Sequence, residues 1–268
     1  MGISEFDKNI LNDKITKEFS MKLTFSEYKS DYDNYIFPYV IWAEPESHEP
    51  AADLFGQGFL PNTHDLSRFY MCRHVRVDLN DYQPSSENRR ILRKGNGVAF
   101  EIYPRKDFQY TRAWQNFCLY YADKKFGKGV MTKQRLDSVF SSSVCSHCAV
   151  FTDKPSGEHI GLVVLFLHQP DVAFYYYSFY DLGYVQKSLG MIMMTFLVGQ
   201  MKKDGYDYIY LGSCYDRRAL YKTQFEGMQF WNGRQWSDNK DELKYLIDRD
   251  QGQMTKHLLE DEYYVKHF

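Results

Sequence analysis

A chain of 268 residues can bury one large core or two modest ones. With 33 Lys and Arg against 35 Asp and Glu the net charge is -2. That excludes a chain-wide positive field for a polyanion and leaves any nucleic-acid contact to local basic clusters. Aromatic residues make up 18% of the chain, so many tyrosines must find hydrogen-bond partners or line a groove. No run of 18 apolar residues occurs, and the first residues, MGISEFDKN, lack the apolar core of a signal peptide. Phe6 stands where a myristoylation signal carries Ser or Thr, which argues against a lipid anchor. Cys72, Cys118, Cys145, Cys148 and Cys214 are odd in number and scattered, the pattern of reduced thiols in a cytoplasmic protein.

In chain order, residues 1–20 are polar and predict a loosely docked arm. Residues 21–60 mix short apolar runs with loop signals, and 74–79 alternates as a half-buried strand. Pro84-Ser85-Ser86 then starts a short helix carrying Arg89, Arg90, Arg93 and Lys94, with Gly95 as its C-cap. A strand is expected over 98–103, a helix over 106–126, a break at Gly127 to Gly129 and a shorter helix to Phe140. Strands follow at 144–152, 160–167 and 172–180, the first two joined by a turn holding Pro155 and Gly157. A helix over 188–203, a strand over 208–211, a helix over 215–224 and a last strand over 231–236 complete the pattern. The charged segment 241–268 reads as a peripheral helix and tail. Strands alternating with helices predict an α/β fold with parallel or mixed strands. Ligands in such units sit at the carboxyl ends of strands beside a helix N-terminus, here Asp181 to Gly190.

Each candidate site has a plainer reading. Cys145 and Cys148 have metal-ligand spacing, but no second pair follows, so structural cysteines are favoured. The basic cluster at 89–94 suits phosphate oxygens or is a solvated helix face. The turn at Ser188-Leu189-Gly190 can bind an anion or carbonyl, or simply start a helix. It does not meet the acyl-CoA pattern Arg/Gln-x-x-Gly-x-Gly/Ala, because Val185 and Ser188 occupy key positions. Lys222, after Tyr221, acts on a carbonyl if buried and is solvated if exposed. No Ser-His-Asp or Cys-His arrangement supports covalent catalysis.

Phe179-Tyr180-Asp181, Ser188-Leu189-Gly190, Tyr208-Ile209-Tyr210-Leu211-Gly212 and Tyr221-Lys222 with Phe225 resemble the arginyl- and leucyl-tRNA–protein transferases. That family shows FYDP, SLG, YLYLGY and YKxxF in this order. Gly58-Phe59, Val75-Arg76-Val77 and Pro84-Ser85 with Arg89, Arg90 and Leu92 resemble its GF, PVR and PSxxQRRxL segments. Tyr120-Tyr121 through Gly129-Val130-Met131 resembles its LYxxYLxxRHxxGxM segment, so the resemblance covers 55–236.

The resemblance implies a GNAT-like acyltransferase fold with a mixed central sheet flanked by helices. It implies an aminoacyl-tRNA donor, a protein or peptide α-amine as acceptor, no cofactor, no metal and no membrane. It further implies a remnant of the family's N-terminal part over 1–54, the transferase domain over 55–240 and a peripheral tail over 241–268. By carry-over, Asp181 orients an amine and Tyr221 and Lys222 stabilise charge. Tyr180, Ser188, Leu189, Gly190, Tyr210 and Gly212 hold the substrate, and Arg89, Arg90, Arg93 and Lys94 meet tRNA phosphates. The family's N-terminal cysteines are missing: Pro38-Tyr39 has no cysteine before it, and 69–73 keeps only Cys72. FYDP also becomes Phe179-Tyr180-Asp181-Leu182 here, and YLGYW becomes Tyr210-Leu211-Gly212-Ser213-Cys214. The alternatives are an acyl-CoA-dependent N-acyltransferase and a non-catalytic binding protein of the same fold.

Overall fold

The structure, a computed structural model, describes residues 21–27, 33, 39–46, 50–252 and 256–268, with only the backbone of 185–187. The arm expected over 1–20 lies outside the described residues. A small antiparallel sheet comes first, formed by β1 (Lys22–Glu27), β2 (Tyr39–Glu44), β3 (Phe59–Pro61) and β4 (Phe69–Met71) in the order β1-β2-β4-β3. Helix α1 (Ala51–Gly56) lies between β2 and β3 in the chain.

The larger part runs β5 (His74–Asp78), α2 (Ser86–Lys94), β6 (Val98–Pro104), α3 (Arg112–Lys125), α4 (Lys133–Ser141), β7 (His147–Asp153), β8 (His159–His168) and β9 (Val172–Tyr180). It continues through α5 (Leu189–Lys203), β10 (Tyr208–Ser213), β11 (Met228–Trp231), β12 (Trp236–Ser237), α6 (Lys240–Gln251) and α7 (Glu262–His267). Its eight strands form one sheet in the order β12-β11-β5-β10-β9-β8-β7-β6. The sheet is mixed: β9 and β10 are parallel, joined by α5, and the other neighbours are antiparallel. The mixed α/β architecture expected from the sequence is thus present.

Period-two alternation divides the core between the two faces. Ile209 and Leu211 of β10 join α2, α5 and α6 on one face. On the other, Leu162, Val164 and Phe179 pack against α3 and α4, while Phe166, Phe174 and Tyr210 pack against α1 and the small sheet. Helix α5 is apolar nearly all round, as a helix pressed into a core must be, with Ile192, Met193, Leu197, Val198 and Met201 fully buried. Leu243, Leu246 and Ile247 of α6, spaced three and four residues apart, join the same cluster with Tyr264 of α7. The charged C-terminal segment therefore carries an inward apolar stripe.

Some elements differ from their predicted form. The helix expected from 106 begins at Arg112, where Thr111 accepts the N–H of Trp114. The residues before it form a turn pinned by Arg105, which donates to the carbonyls of Phe140 and Phe108. The helix expected over 215–224 is a 3₁₀ segment, Arg217–Thr223, whose start is fixed by Asp216 accepting the Arg218 N–H at 2.8 Å. The last strand, expected over 231–236, is instead a hairpin, because Asn232 Oδ1 accepts the N–H groups of Arg234 and Gln235 and turns the chain.

Candidate active site

The parallel pair β9 and β10 is hydrogen-bonded only at its start, from Val172↔Tyr208 to Phe174↔Tyr210. Beyond that point β9 follows β8 as far as Tyr180, while β10 follows β5 to Ser213. The two strands part at their carboxyl ends and open a cleft of about 970 Å³. Tyr175, Ser178 and Tyr180 of β9 form one wall and Ser213 of β10 another. The start of α5 (Ser188, Leu189 and Gly190) and the 3₁₀ segment's Tyr221 and Lys222 close it. The end of β9, the start of α5 and the segment after β10 therefore meet here, and six of the expected site residues, Tyr180, Ser188, Leu189, Gly190, Tyr221 and Lys222, line one space.

Local backbone geometry places each of them. Ser188 adopts a left-handed conformation (φ 57°, ψ 45°) and gives α5 no side-chain cap. Such a conformation costs about 1 kcal/mol in a non-glycine residue; the Ser188 carbonyl accepts the N–H groups of Met191 and Ile192, and those of Leu189 and Gly190 have no acceptor within α5. Gly190 lies against the Tyr180 ring: a Cβ there would stand 2.9 Å from Cε1. Gly212, at φ 82° in a register shift of β10, would place a Cβ 3.7 Å from Lys222 Nζ. The bulge turns the end of β10 so that the Ser213 carbonyl accepts from Lys222 Nζ at 2.7 Å.

Lys222 is largely enclosed, and burial lowers its pKa, while Cys214 and Asp216 pull the other way. Around it the inner wall is aromatic and thioether-rich. The Tyr121 and Tyr180 rings meet at a tilt of 58°, their centroids 4.7 Å apart, and Met191 and Met194 reach in from α5. Burial pushes the phenols of Tyr121 and Tyr175 well above their usual value, so both remain neutral donors. Lys125 and Arg218 also border the cleft, Arg218 in an ion pair with Asp216. The arrangement can hold a carbonyl near a lysine and a helix N-terminus, with an apolar group against the rings.

Other expected residues lie elsewhere. Asp181 is exposed, and its Oδ1 accepts the Gly183 N–H at 2.8 Å, so it holds the turn that leaves β9. Tyr210 points to the opposite face of the sheet, where Arg76 Nη1 donates to its hydroxyl at 3.4 Å. Arg89, Arg90, Arg93 and Lys94 are all exposed on α2. Arg89 donates to the Pro84 carbonyl, and Arg90 pairs with Glu87. Tyr121, which the sequence marks only as part of the segment resembling LYxxYLxxRHxxGxM, lines the cleft as well. Its place beside the buried Cys118 and Ala122 is the signal that it faces inward from α3.

Among the described residues no three His, Cys, Asp or Glu side chains stand together as a metal site requires. Cys145 and Cys148 are buried with their sulfurs 3.8 Å apart. Cys72, alone of its segment, is buried beside His74 Nδ1 at 3.5 Å, and burial pushes its thiol up to about 12. That is a protonated thiol in an apolar setting rather than a thiolate ligand.

No family model matches the chain. Among curated proteins it resembles the aspartate/glutamate leucyltransferase of Chromobacterium violaceum, 27% identical over 175 residues, 62% of this chain and 68% of that protein. The protein of the same name from Thiobacillus denitrificans is 28% identical over 166 residues, covering 59% and 66%. That from Pseudomonas aeruginosa is 23% identical over 206 residues, covering 72% and 85%. Among solved structures, L-PGS from Bacillus licheniformis aligns with a TM-score of 0.40 at 17% identity, over 53% of this chain and 46% of the other. A GCN5-related glucosamine N-acetyltransferase region of a fungal multi-domain β-N-acetylglucosaminidase aligns with a TM-score of 0.40 at 13% identity, over 59% and 20%. No helix among the described residues is long and apolar enough to cross a membrane. With relatives that are leucyltransferases, this chain is an enzyme of the acyltransferase class.

Proposed function

We propose that this chain is an aminoacyl-tRNA–protein transferase, moving an amino acid from charged tRNA to the α-amine of a protein or peptide. The observation that carries the reading is the meeting of Tyr180, Ser188 to Gly190 and Lys222 around one cleft where β9 and β10 part. The amine nitrogen attacks the ester carbonyl, a C–N bond forms, and the C–O bond to the tRNA ribose breaks. The proton lost by the amine ends on the released ribose oxygen. The ester is already activated, so catalysis rests on positioning and on charge stabilisation in the tetrahedral intermediate. Lys222 and the first N–H groups of α5 serve that oxyanion, and the wall formed by Tyr121, Tyr180, Met191 and Met194 takes the amino-acid side chain.

The relatives' names carry leucine as the group moved and aspartate or glutamate as the acceptor, and we assign the same classes here. The exposed Arg89, Arg90, Arg93 and Lys94 of α2 are the tRNA-phosphate contacts in this reading, and Lys125 adds charge at the cleft. We place the transferase domain at 55–240, with 1–54 and 241–268 flanking it. Asp181 supports the site through its turn. Use of charged tRNA places the enzyme in the cytoplasm.

The test is transfer of radiolabelled amino acids from a mixed charged-tRNA pool to peptides with different first residues. Label in peptide that disappears in Lys222→Met supports the transferase. No label and no salt-sensitive tRNA binding refutes it.

A further inference from the structure

The rim of the cleft differs from one side to the other. On the side of the 3₁₀ segment the exposed Tyr221 shares the lining with Asp216 and Arg218, whose charges pair at 2.9 Å. On the side of α3 the lining ends in Lys125 and Phe126. The segment 120–130 around them carries Lys124, Lys125 and Lys128 against one carboxylate, Asp123. That carboxylate holds its own turn, its Oδ1 accepting the Gly129 N–H at 3.1 Å. The three lysines are exposed, and among the described residues none pairs with Asp or Glu.

The rings on this side are open as well. Phe126 is 42% exposed and meets Tyr121 at nearly a right angle, the centroids 5.8 Å apart. Tyr120 is also exposed, with Lys124 Nζ 5.8 Å from its centroid. Backbone bonds fix the turn that carries Phe126 and Lys128: Phe126 donates to the Ala122 carbonyl at 2.7 Å, and Val130 to that of Gly127 at 3.2 Å. Lysines in a helix's last turn offset its dipole. That accounts for Lys124 and Lys125, but for neither Lys128, which lies beyond the helix, nor the open ring of Phe126. Accessible cations interleaved with accessible rings suit a single-stranded nucleic acid, which offers phosphates to the first and base faces to the second.

We infer that this rim receives the 3′ end of the donor tRNA, its terminal adenine stacking on Phe126 and its last phosphates meeting Lys124, Lys125 and Lys128. The inference rests on the transferase reading. In charged tRNA the amino acid is esterified to the ribose of that terminal adenosine, so the adenine must lie within one nucleotide of the carbonyl held at Lys222. Phe126 and Lys222 line the same cleft, which meets the requirement. The opposite rim, with Tyr221 and Arg218, is left open to the acceptor.

The test is binding of the full chain to deacylated bulk tRNA and to the same tRNA lacking its terminal adenosine, each over a range of salt. The intact tRNA is expected to bind roughly tenfold tighter, the worth of one base stacked on an aromatic ring. Phe126→Leu is expected to abolish that preference and Phe126→Tyr to keep it. Replacing Lys124, Lys125 and Lys128 together by Ala is expected to lower the slope of log affinity against log salt by about 2, as three single-strand phosphate contacts require. Melting temperatures close to that of the natural chain confirm that these exposed substitutions leave the fold intact. Equal affinity of the natural chain for the two tRNAs, a preference that survives Phe126→Leu, or an unchanged salt slope in the triple variant overturns the inference while the transferase reading stands. Absence of any tRNA binding by the natural chain overturns both.

Discussion

Gly190 sits so close to Tyr180 that a Cβ at position 190 would lie 2.9 Å from Cε1 and 3.2 Å from the hydroxyl oxygen. The start of α5 and the end of β9 are held at contact distance, and the Tyr180 ring becomes a wall of the cleft instead of filling it. Gly190→Ala must push that ring aside. Overpacking of this kind costs about 1–3 kcal/mol, and the displaced ring moves towards Tyr121 and the cleft. The expected result is a modest fall in melting temperature with a transfer rate reduced roughly a hundredfold, since a shift of about 1 Å near the reacting atoms has that effect. A variant with full activity would show that Tyr180 takes no part in positioning the substrate.

Lys222 is the charged group most enclosed by the cleft, and it is anchored to the Ser213 carbonyl at 2.7 Å. Lys222→Met keeps much of the side chain's volume and removes the charge and donor. Transfer is expected to fall about 10²–10³-fold, the usual loss when one oxyanion donor is removed, with little change in tRNA affinity. The variant should also be more stable below the lysine pKa. Burial sets the folded-state pKa of Lys222 under its unfolded value, so the charged side chain opposes folding in that range and its cost fades as pH rises through the gap. Single-turnover rates and urea melts at neutral and alkaline pH check both halves.

Hydrophobic periodicity places the elements that carry Tyr180, Ser188-Leu189-Gly190 and Lys222, while the choice of these residues as a site comes from the resemblance to the transferases and from the place of a helix N-terminus after a strand. The helix over 188–203 and the strand over 172–180 are long and apolar, and both stand within one residue of expectation. The parting of β9 from β10 was not legible, since it depends on pairing to β8 and β5 and leaves no local mark. The resemblance names Tyr210 for the substrate, yet it faces the other side of the sheet, because a motif gives the strand and not the face that each of its residues occupies. In a strand, neighbours on opposite faces look alike when both faces are buried. The spacing over 215–224 predicts an α-helix, but a segment as short as Arg217–Thr223 fits a 3₁₀ turn equally well.

Arg76 is an arginine whose surroundings decide its role. It is 7% exposed and lies between two rings, with its Cζ 3.9 Å from the Tyr208 centroid and 3.8 Å from that of Trp236. Its Nε donates to Gln229 at 2.8 Å. A planar guanidinium stacks on both faces where an ammonium cannot. Arg76→Lys is therefore expected to cost about 2–3 kcal/mol, from a desolvated cation–π contact and a charged hydrogen bond. Chemical denaturation with unchanged m-value checks it, and a loss under 0.5 kcal/mol, the range of an ordinary surface change, would mean that the stack contributes little.

His74 makes acid stability a separate readout. It is fully buried, its Nδ1 lies 2.9 Å from the Cys72 carbonyl oxygen, its Nε2 has no partner, and burial lowers its pKa to about 3. The unfolded chain binds this proton near pH 6.5, so between about 6.5 and 3 the unfolded state holds more protons than the folded one. Stability accordingly falls as the solution is acidified through that window, and the His74 contribution is constant above it. At pH 5 the loss from this residue is about 2 kcal/mol relative to pH 7. His74→Asn keeps a donor for the Cys72 carbonyl and cannot be protonated. Its stability at pH 7 is expected to be lower than that of the natural chain, but its drop between pH 7 and 5 should be smaller by about that 2 kcal/mol. Equal drops in the two proteins would show that His74 is already protonated in the folded chain and that its buried ring has found an acceptor.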